Sequence, residues 1–411
     1  MNQVKLIAAF IRRRPLTWGF HALTLALGVA VLTAVLALNA GLSGRFQRDL
    51  GGIDLVVGAK GSPLQLIMSA VFQLDQPTGN IPLPVLQMLA GNRMVQRAVP
   101  VSLGDNVGGF RIVGTTPQYG EIYDARLAAG RWWSGPMEAV IGAQADRRLH
   151  YAVGDVFVGD HGLAPGGETH KDSPYRVVGV LRPTGAVIDR VVLTDTASVW
   201  KVHEHENLEH LEALNAGRPV DPHDIDKSPG GREVTAVLVK YRSAMGALML
   251  PRFISAMPDL QAASPAVETA HLTTLLGTGA EVLRAFAVGL LALSALGFFV
   301  ALYAAVSQRR RELALLRTLG ARPSLLFALV TLEGLALGLT GGLAGIALGH
   351  GAAAFAAHAA ARGGGPSLPL PPVGGIDLAI LAGALALSLL AALAPGLVAY
   401  RTQPATALKA G

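Results

Sequence analysis

The sequence contains no cysteine, so it has no disulfide framework, no thiolate metal site and no cysteine nucleophile. That fits work in an oxidising compartment without covalent staples. Charge is scarce too: 15% of residues are Asp, Glu, Lys or Arg, against about a quarter in a soluble globule, which argues against a purely water-soluble protein. Catalytic signatures are missing. No G-x-x-x-x-G-K-[ST], H-E-x-x-H, nucleophile elbow or dinucleotide fingerprint occurs, so no catalytic residue is assigned and the chain is not read as an enzyme. Gly58-Ala59-Lys60-Gly61-Ser62 has the wrong glycine spacing for a phosphate loop and reads as a turn after a strand.

What the sequence does hold is apolar: 51% of its 411 residues are hydrophobic. The first long run, Leu16 to Ala40, has no Asp, Glu, Lys or Arg and matches the ~20 residues needed to cross a bilayer. It exceeds the roughly 7 to 15 apolar residues of a signal peptide and reads as a retained anchor, with cleavage near Leu38-Asn39-Ala40 as the alternative. Three more runs cluster late, at Ala285 to Val306, Leu325 to Ala360 and Ile376 to Ala399.

The cations resolve around these runs. Lys5, Arg12, Arg13 and Arg14 precede the first; Arg309, Arg310, Arg311, Arg317 and Arg322 lie between the second and third; Arg401 and Lys409 follow the fourth. Against these eleven stands one anion, Glu312. The loop between the third and fourth runs offers only Arg362. The positive-inside rule therefore puts both termini and 307–324 in the cytoplasm, as four spans require. The net charge of +6 is a topology signal, and nucleic acid is not expected as a partner.

The fold expected is a membrane protein of four transmembrane α-helices with a large α+β extracytoplasmic domain inserted between helices 1 and 2. Its segments are a cytoplasmic 1–15, helix 1 at 16–40, the outer domain at 41–277, helix 2 at 278–306, a cytoplasmic helix or loop at 307–324, helix 3 at 325–360, a short outer loop at 361–375, helix 4 at 376–400 and a cytoplasmic tail at 401–411. Within 41–277, β-branched runs such as Ile53 to Val57, Tyr175 to Leu181 and Val234 to Val239 predict strands. Pro84 to Ala90, Gln144 to His150 and Thr196 to His203 predict helices.

Two motifs carry a resemblance. Ser307-Gln308-Arg309-Arg310-Arg311-Glu312-Leu313-Ala314-Leu315-Leu316-Arg317-Thr318-Leu319-Gly320-Ala321, followed by Leu332-Glu333-Gly334, resembles the signature of the FtsX-like permease domain of MacB-type and lipoprotein-release ABC transporters. Ile141-Gly142, Leu149 and Gly154-Asp155, with Gly114-Thr115-Thr116 and Gly130-Arg131 upstream, are similar to the MacB-type periplasmic core domain. The resemblance implies an inner-membrane ABC transporter permease with a large periplasmic domain. ATP and Mg²⁺ would be bound by a separate cytoplasmic ATPase, and a second permease copy or paralogue would complete the assembly. MacB carries a fused nucleotide-binding domain before its first span, and this sequence departs from that arrangement. The client implied is a lipidated, amphiphilic or periplasmic protein or lipoprotein; the alternatives are an FtsX-like switch for a cell-envelope hydrolase and a zinc-linked ABC system.

The residues themselves say less about the 307–324 segment. Leu313, Leu316 and Leu319 recur at helical spacing and Gly320 ends the pattern, giving a short amphipathic helix that either rests on the membrane or docks into a partner. The resemblance favours docking, with Arg309, Arg310, Arg311, Glu312, Leu313, Leu316, Arg317, Leu319 and Gly320 as the ATPase-coupling set. Glu333 falls near mid-bilayer, where an ionisable group should face protein or water rather than lipid. Gly334, Gly338 and Gly342, with Gly345 on a second stripe, let helices approach closely, within one subunit or across a dimer. Seven of the 11 histidines fall in residues 150–223, and His161, His170, His203 and His205 are the candidate Zn²⁺ ligands, with solvated loop histidines as the alternative.

Overall fold

In the computed structural model the described residues are 15–162, 167, 169, 170, 172–202, 232–362 and 368–401, without the side chains of 275, 276 and 310–312. They form two units, Arg45–Thr273 and the described residues on either side of it.

Apolar side chains at successive positions, rather than alternate ones, mark the central strands of Arg45–Thr273 as buried on both faces, whereas the edge strand Leu127–Gly130 is exposed. The strands of its main sheet are β1 (Leu55–Ala59), β2 (Val95–Val107), β3 (Phe110–Thr115), β4 (Leu127–Gly130), β5 (Glu138–Ile141), β6 (Asp160–His161), β7 (Tyr175–Leu181), β8 (Val192–Asp195), β9 (Ala236–Tyr241) and β10 (Leu260–Ala263), with the two-residue strand Val156–Phe157 paired on β7. They run in the order β10-β1-β9-β2-β3-β8-β5-β7-β4, with β6 added on β2. Pairings β3/β8 and β5/β7 are parallel and the others antiparallel.

β2 holds the sheet together. From Val95 to Val101 it pairs with β9, and from Ser102 to Val107 with β3. Pro100, which has no N–H to donate, lies in the first half, where only β9 is a ladder partner, so the proline is tolerated. On one face Val56, Val99, Val101, Val113, Val140, Leu193 and Leu238 join one continuous core. On the other face two separate cores form, one around Leu55, Val57, Val237 and Val239, the other around Ile112, Ile141, Tyr175 and Val192. Gly58 and Ser62 sit at the turn after β1, where Ser62 Oγ accepts the Gln65 N–H at the start of a helix over Pro63–Ala70.

Among the described residues four helices are long and apolar enough to cross a membrane: α1 (Pro15–Leu50), α3 (Pro265–Gln308), α5 (Pro323–Arg362) and α6 (Gly375–Tyr400). Two shorter ones matter below, α2 (Ala244–Ser255) in the sheet unit and α4 (Arg310–Thr318) between α3 and α5. Hydropathy marks only the apolar part of the long helices. α1 continues past residue 40 through the charged turn Arg45 to Leu50, and α3 starts at Pro265, well before its apolar run.

Candidate functional site

α4 ends in a Schellman motif. The Ala321 N–H donates to Leu316 O at 3.0 Å and the Gly320 N–H to Arg317 O at 3.1 Å, with Gly320 in the left-handed region at φ +92°. The helix then divides its leucines differently from the spacing argument. Leu313 and Ala314 are buried and Leu316 is half-buried, packed with Phe298, Leu302, Val306 and Leu326. The leucines left exposed are Leu315 and Leu319, the latter at 83%. Leu313 and Leu316 therefore belong to the interior. Leu315, absent from the sequence-based set, joins Leu319 on the outside; their i, i+4 spacing, which puts both on one face, is the signal that could have found it. Arg309 precedes the helix and Arg317 is half-exposed in its last turn.

The glycines of α5 serve two neighbours. Gly341, Gly345 and Gly349 face α1: a methyl group added there would lie 3.2, 2.7 and 2.7 Å from the carbonyl oxygens of Ala22, Ala26 and Ala30. Gly334 and Gly338 face α6, where it would lie 3.0 and 3.2 Å from the carbonyls of Ser388 and Ala384. Gly342 faces Leu381 of α6. Both stripes are thus covered inside one chain. Glu333 is half-buried in α5. A polar pair not expected from sequence spacing lies further along: His350 Nε2 meets Asp377 Oδ1 at 3.0 Å, while Asp377 Oδ2 accepts the Gly374 N–H and caps α6.

In the sheet unit, His161 and His170 converge on Asp105 of β2, a residue that sequence spacing could not link to them. Asp105 Oδ1 lies 3.2 Å from His170 Nε2 and 3.9 Å from His161 Nδ1. One donor atom from each residue falls within 4.8 Å of the others. The register explains the meeting, because β6 pairs with β2 so that His161 stands opposite Asp105. Asn106 Nδ2 donates to Gly162 O at 3.0 Å, beside His161. His203 and His205 lie outside the described residues.

A third polar cluster is largely buried. Arg45 Nε sits 3.2 Å from Asp49 Oδ2, and a guanidinium nitrogen of Arg190 lies 3.9 Å from the same oxygen. Tyr123 Oη donates to Asp49 O at 3.0 Å. Burial, with the Arg45 charge nearby, lowers Arg190 to a pKa of about 10. On the surface, the Arg131 guanidinium donates to both carboxylate oxygens of Glu138, one at 2.8 Å, and the Ser134 N–H adds a third bond. The Arg131 hydrogen bond first, then that from Ser134, holds the Glu138 carboxyl down at about 2.

Finally, α2 is amphipathic. Leu250 and Ile254 are buried, whereas Met245, Leu248, Met249 and Phe253 are each at least half exposed, forming an apolar face at i, i+3, i+4 and i+8.

Comparison with protein-family models matches residues 19–243 to the MacB-like periplasmic core domain and 284–404 to the FtsX-like permease C-terminal domain. A search of curated proteins finds no match. Among solved structures, the chain is similar to the periplasmic region of MacB from Actinobacillus actinomycetemcomitans, with 13% identity and TM-score 0.34, covering 55% of this chain and 94% of that one. It is also similar to the extracellular domain of the noncanonic ABC-type transporter YknZ from Gram-positive bacteria, with 11% identity and TM-score 0.28, covering 51% of this chain and 98% of that one. The two domain matches run through most of the sequence, and the chain belongs to the MacB/FtsX-like family of ABC transporter permeases, multi-pass inner-membrane proteins with a periplasmic domain.

Proposed function

We propose that this permease carries ATP-driven movement from a separate cytoplasmic ATPase, docked on α4, to the domain formed by residues 45–273, which acts on an amphiphilic or lipidated client outside the membrane. The observation that carries this reading is the length of α1 and α3. At 1.5 Å per residue their 36 and 44 residues span about 54 and 66 Å, well beyond the ~30 Å hydrocarbon core. Each is one uninterrupted helix, and the end of α1 is fixed by the buried Arg45, Asp49 and Arg190 cluster. A continuous helix transmits displacement along its axis where a flexible linker would absorb it.

Three further features support the reading. Leu315 and Leu319 offer an exposed apolar contact on the loop that the positive-inside rule puts in the cytoplasm. The four long helices carry few polar side chains, leaving little with which to line an aqueous pathway for a hydrophilic solute. The exposed methionine and phenylalanine face of α2 suits an apolar client segment, since methionine adapts to varied shapes. In the assembly envisaged, two permease chains, or this one and a paralogue, pair with two ATPase subunits that bind ATP and Mg²⁺.

The absence of cysteine makes the topology directly testable, since each introduced thiol is unique. Ser134→Cys should react with a membrane-impermeant maleimide in intact spheroplasts, and Gln308→Cys only after permeabilisation. Labelling of both from the same side would overturn the reading.

A further inference from the structure

We infer that Asp105, His161 and His170 form a Zn²⁺ site that pins β6 to the end of β2. The inference is independent of the transport reading above. Two imidazole nitrogens and one carboxylate oxygen are a donor set suited to Zn²⁺ and unsuited to Mg²⁺ or Ca²⁺, which take oxygen ligands. The spacing agrees. Two donors bound to one tetrahedral Zn²⁺ at about 2.1 Å lie about 3.4 Å apart, and the contacts of Asp105 Oδ1 with the two rings are 3.2 and 3.9 Å. All three donor atoms lie within 4.8 Å of one another, and binding would draw the His161 ring inward by a fraction of an ångström.

A second observation points to a ligand. The Asp105 side chain is 1% exposed, and its Oδ2 has no hydrogen-bond partner among the described residues. A buried carboxylate oxygen left unpaired is costly, and a cation held between Asp105 and the two rings would compensate that charge. The supporting frame is in place as well: Asn106 Nδ2 donates to Gly162 O, the His170 N–H donates to Gly159 O at 3.0 Å, and Thr169 Oγ1 donates to Asp160 Oδ1 at 2.8 Å. Among the described residues three donors are supplied, and a tetrahedral ion would take a fourth donor beside them.

The test uses the full chain in nanodiscs, stripped with chelator and titrated with Zn²⁺ by calorimetry with a competing chelator. The expected result is one tight equivalent that excess Mg²⁺ or Ca²⁺ does not displace, with affinity at least tenfold lower in Asp105→Asn and in His170→Ala. The double variant His203→Ala/His205→Ala should bind like the wild type. Zinc should also raise the Tm of the wild type and not of Asp105→Asn, whose circular dichroism without metal verifies its fold. No binding at micromolar Zn²⁺, unaltered binding by Asp105→Asn, or loss of binding in the His203/His205 double variant would each overturn the site.

Discussion

The Arg45 guanidinium meets the Asp49 carboxylate one helical turn later, both side chains almost wholly buried, and Arg190 approaches the same oxygen from another element. Two cations are therefore held away from bulk water at the end of α1, with Asp49 between them and the buried carboxylate of Asp189 nearby. Removing Asp49 leaves both guanidiniums without the carboxylate they share, although Asp189 still acts on each.

Asp49→Ala is accordingly expected to lower stability by about 3–5 kcal/mol, the cost typical of breaking a buried ion pair from one side. Thermal unfolding of the purified chain would measure it. A drop no larger than that of an exposed substitution would mean that the cluster does not secure the helix end.

On α4 the two classes of leucine should separate. Leu319→Asp should abolish co-purification of the ATPase while leaving Tm unchanged, because its side chain is exposed. Leu316→Asp should lower Tm instead, by burying a charge among Phe298, Leu302 and Val306. Equal ATPase recovery with Leu319→Asp would exclude that surface as the docking point.

Glycine packing predicts a positional contrast along one helix. Gly345→Leu brings a side chain against the Ala26 carbonyl and should cost about 1–3 kcal/mol, as overpacking does. Gly351→Leu, with open space around it, should be tolerated. Detergent-solubilised melting curves of the two variants provide the comparison.

The Arg131–Glu138 pair predicts a small acid-sensitive term. Because the Glu138 pKa falls from 4.5 unfolded to about 2 folded, the unfolded chain binds the proton first. The contribution is whole above pH 4.5 and is lost as pH falls toward 2. Solvent exposure limits it to at most about 1 kcal/mol. Subtracting the Tm–pH profile of Glu138→Gln from that of the wild type should isolate this window; parallel profiles would contradict it.

Much of the architecture is legible in the sequence because hydropathy and the β-branched runs report burial directly. The four apolar helices and strands such as Tyr175–Leu181 coincide with such runs. β2 escaped because Pro100, Gly104, Asp105 and Asn106 break its pattern; its length comes from changing partners midway, a tertiary fact. The same distance in sequence hid Asp105 from His161 and His170, which only strand register brings together. On α4, the period of the leucines was visible, but which ones face inward depends on Phe298 and Leu326 from other helices. The exposed face of α2 was readable as an i, i+3, i+4, i+8 pattern, although Pro251 within the helix disguises it.

The facing of Ala22, Ala26 and Ala30 by Gly341, Gly345 and Gly349 has a mechanical corollary. Helices whose side chains Leu25, Val29 and Thr33 sit in notches cut by glycines, beside the alanine carbonyls, have little soft layer in which to shear. Sliding α1 along α5 would require a jump to the next four-residue notch, about 6 Å away. Smaller thrusts must move the pair as a single strut, so any stroke shorter than that step reaches both helices undiminished.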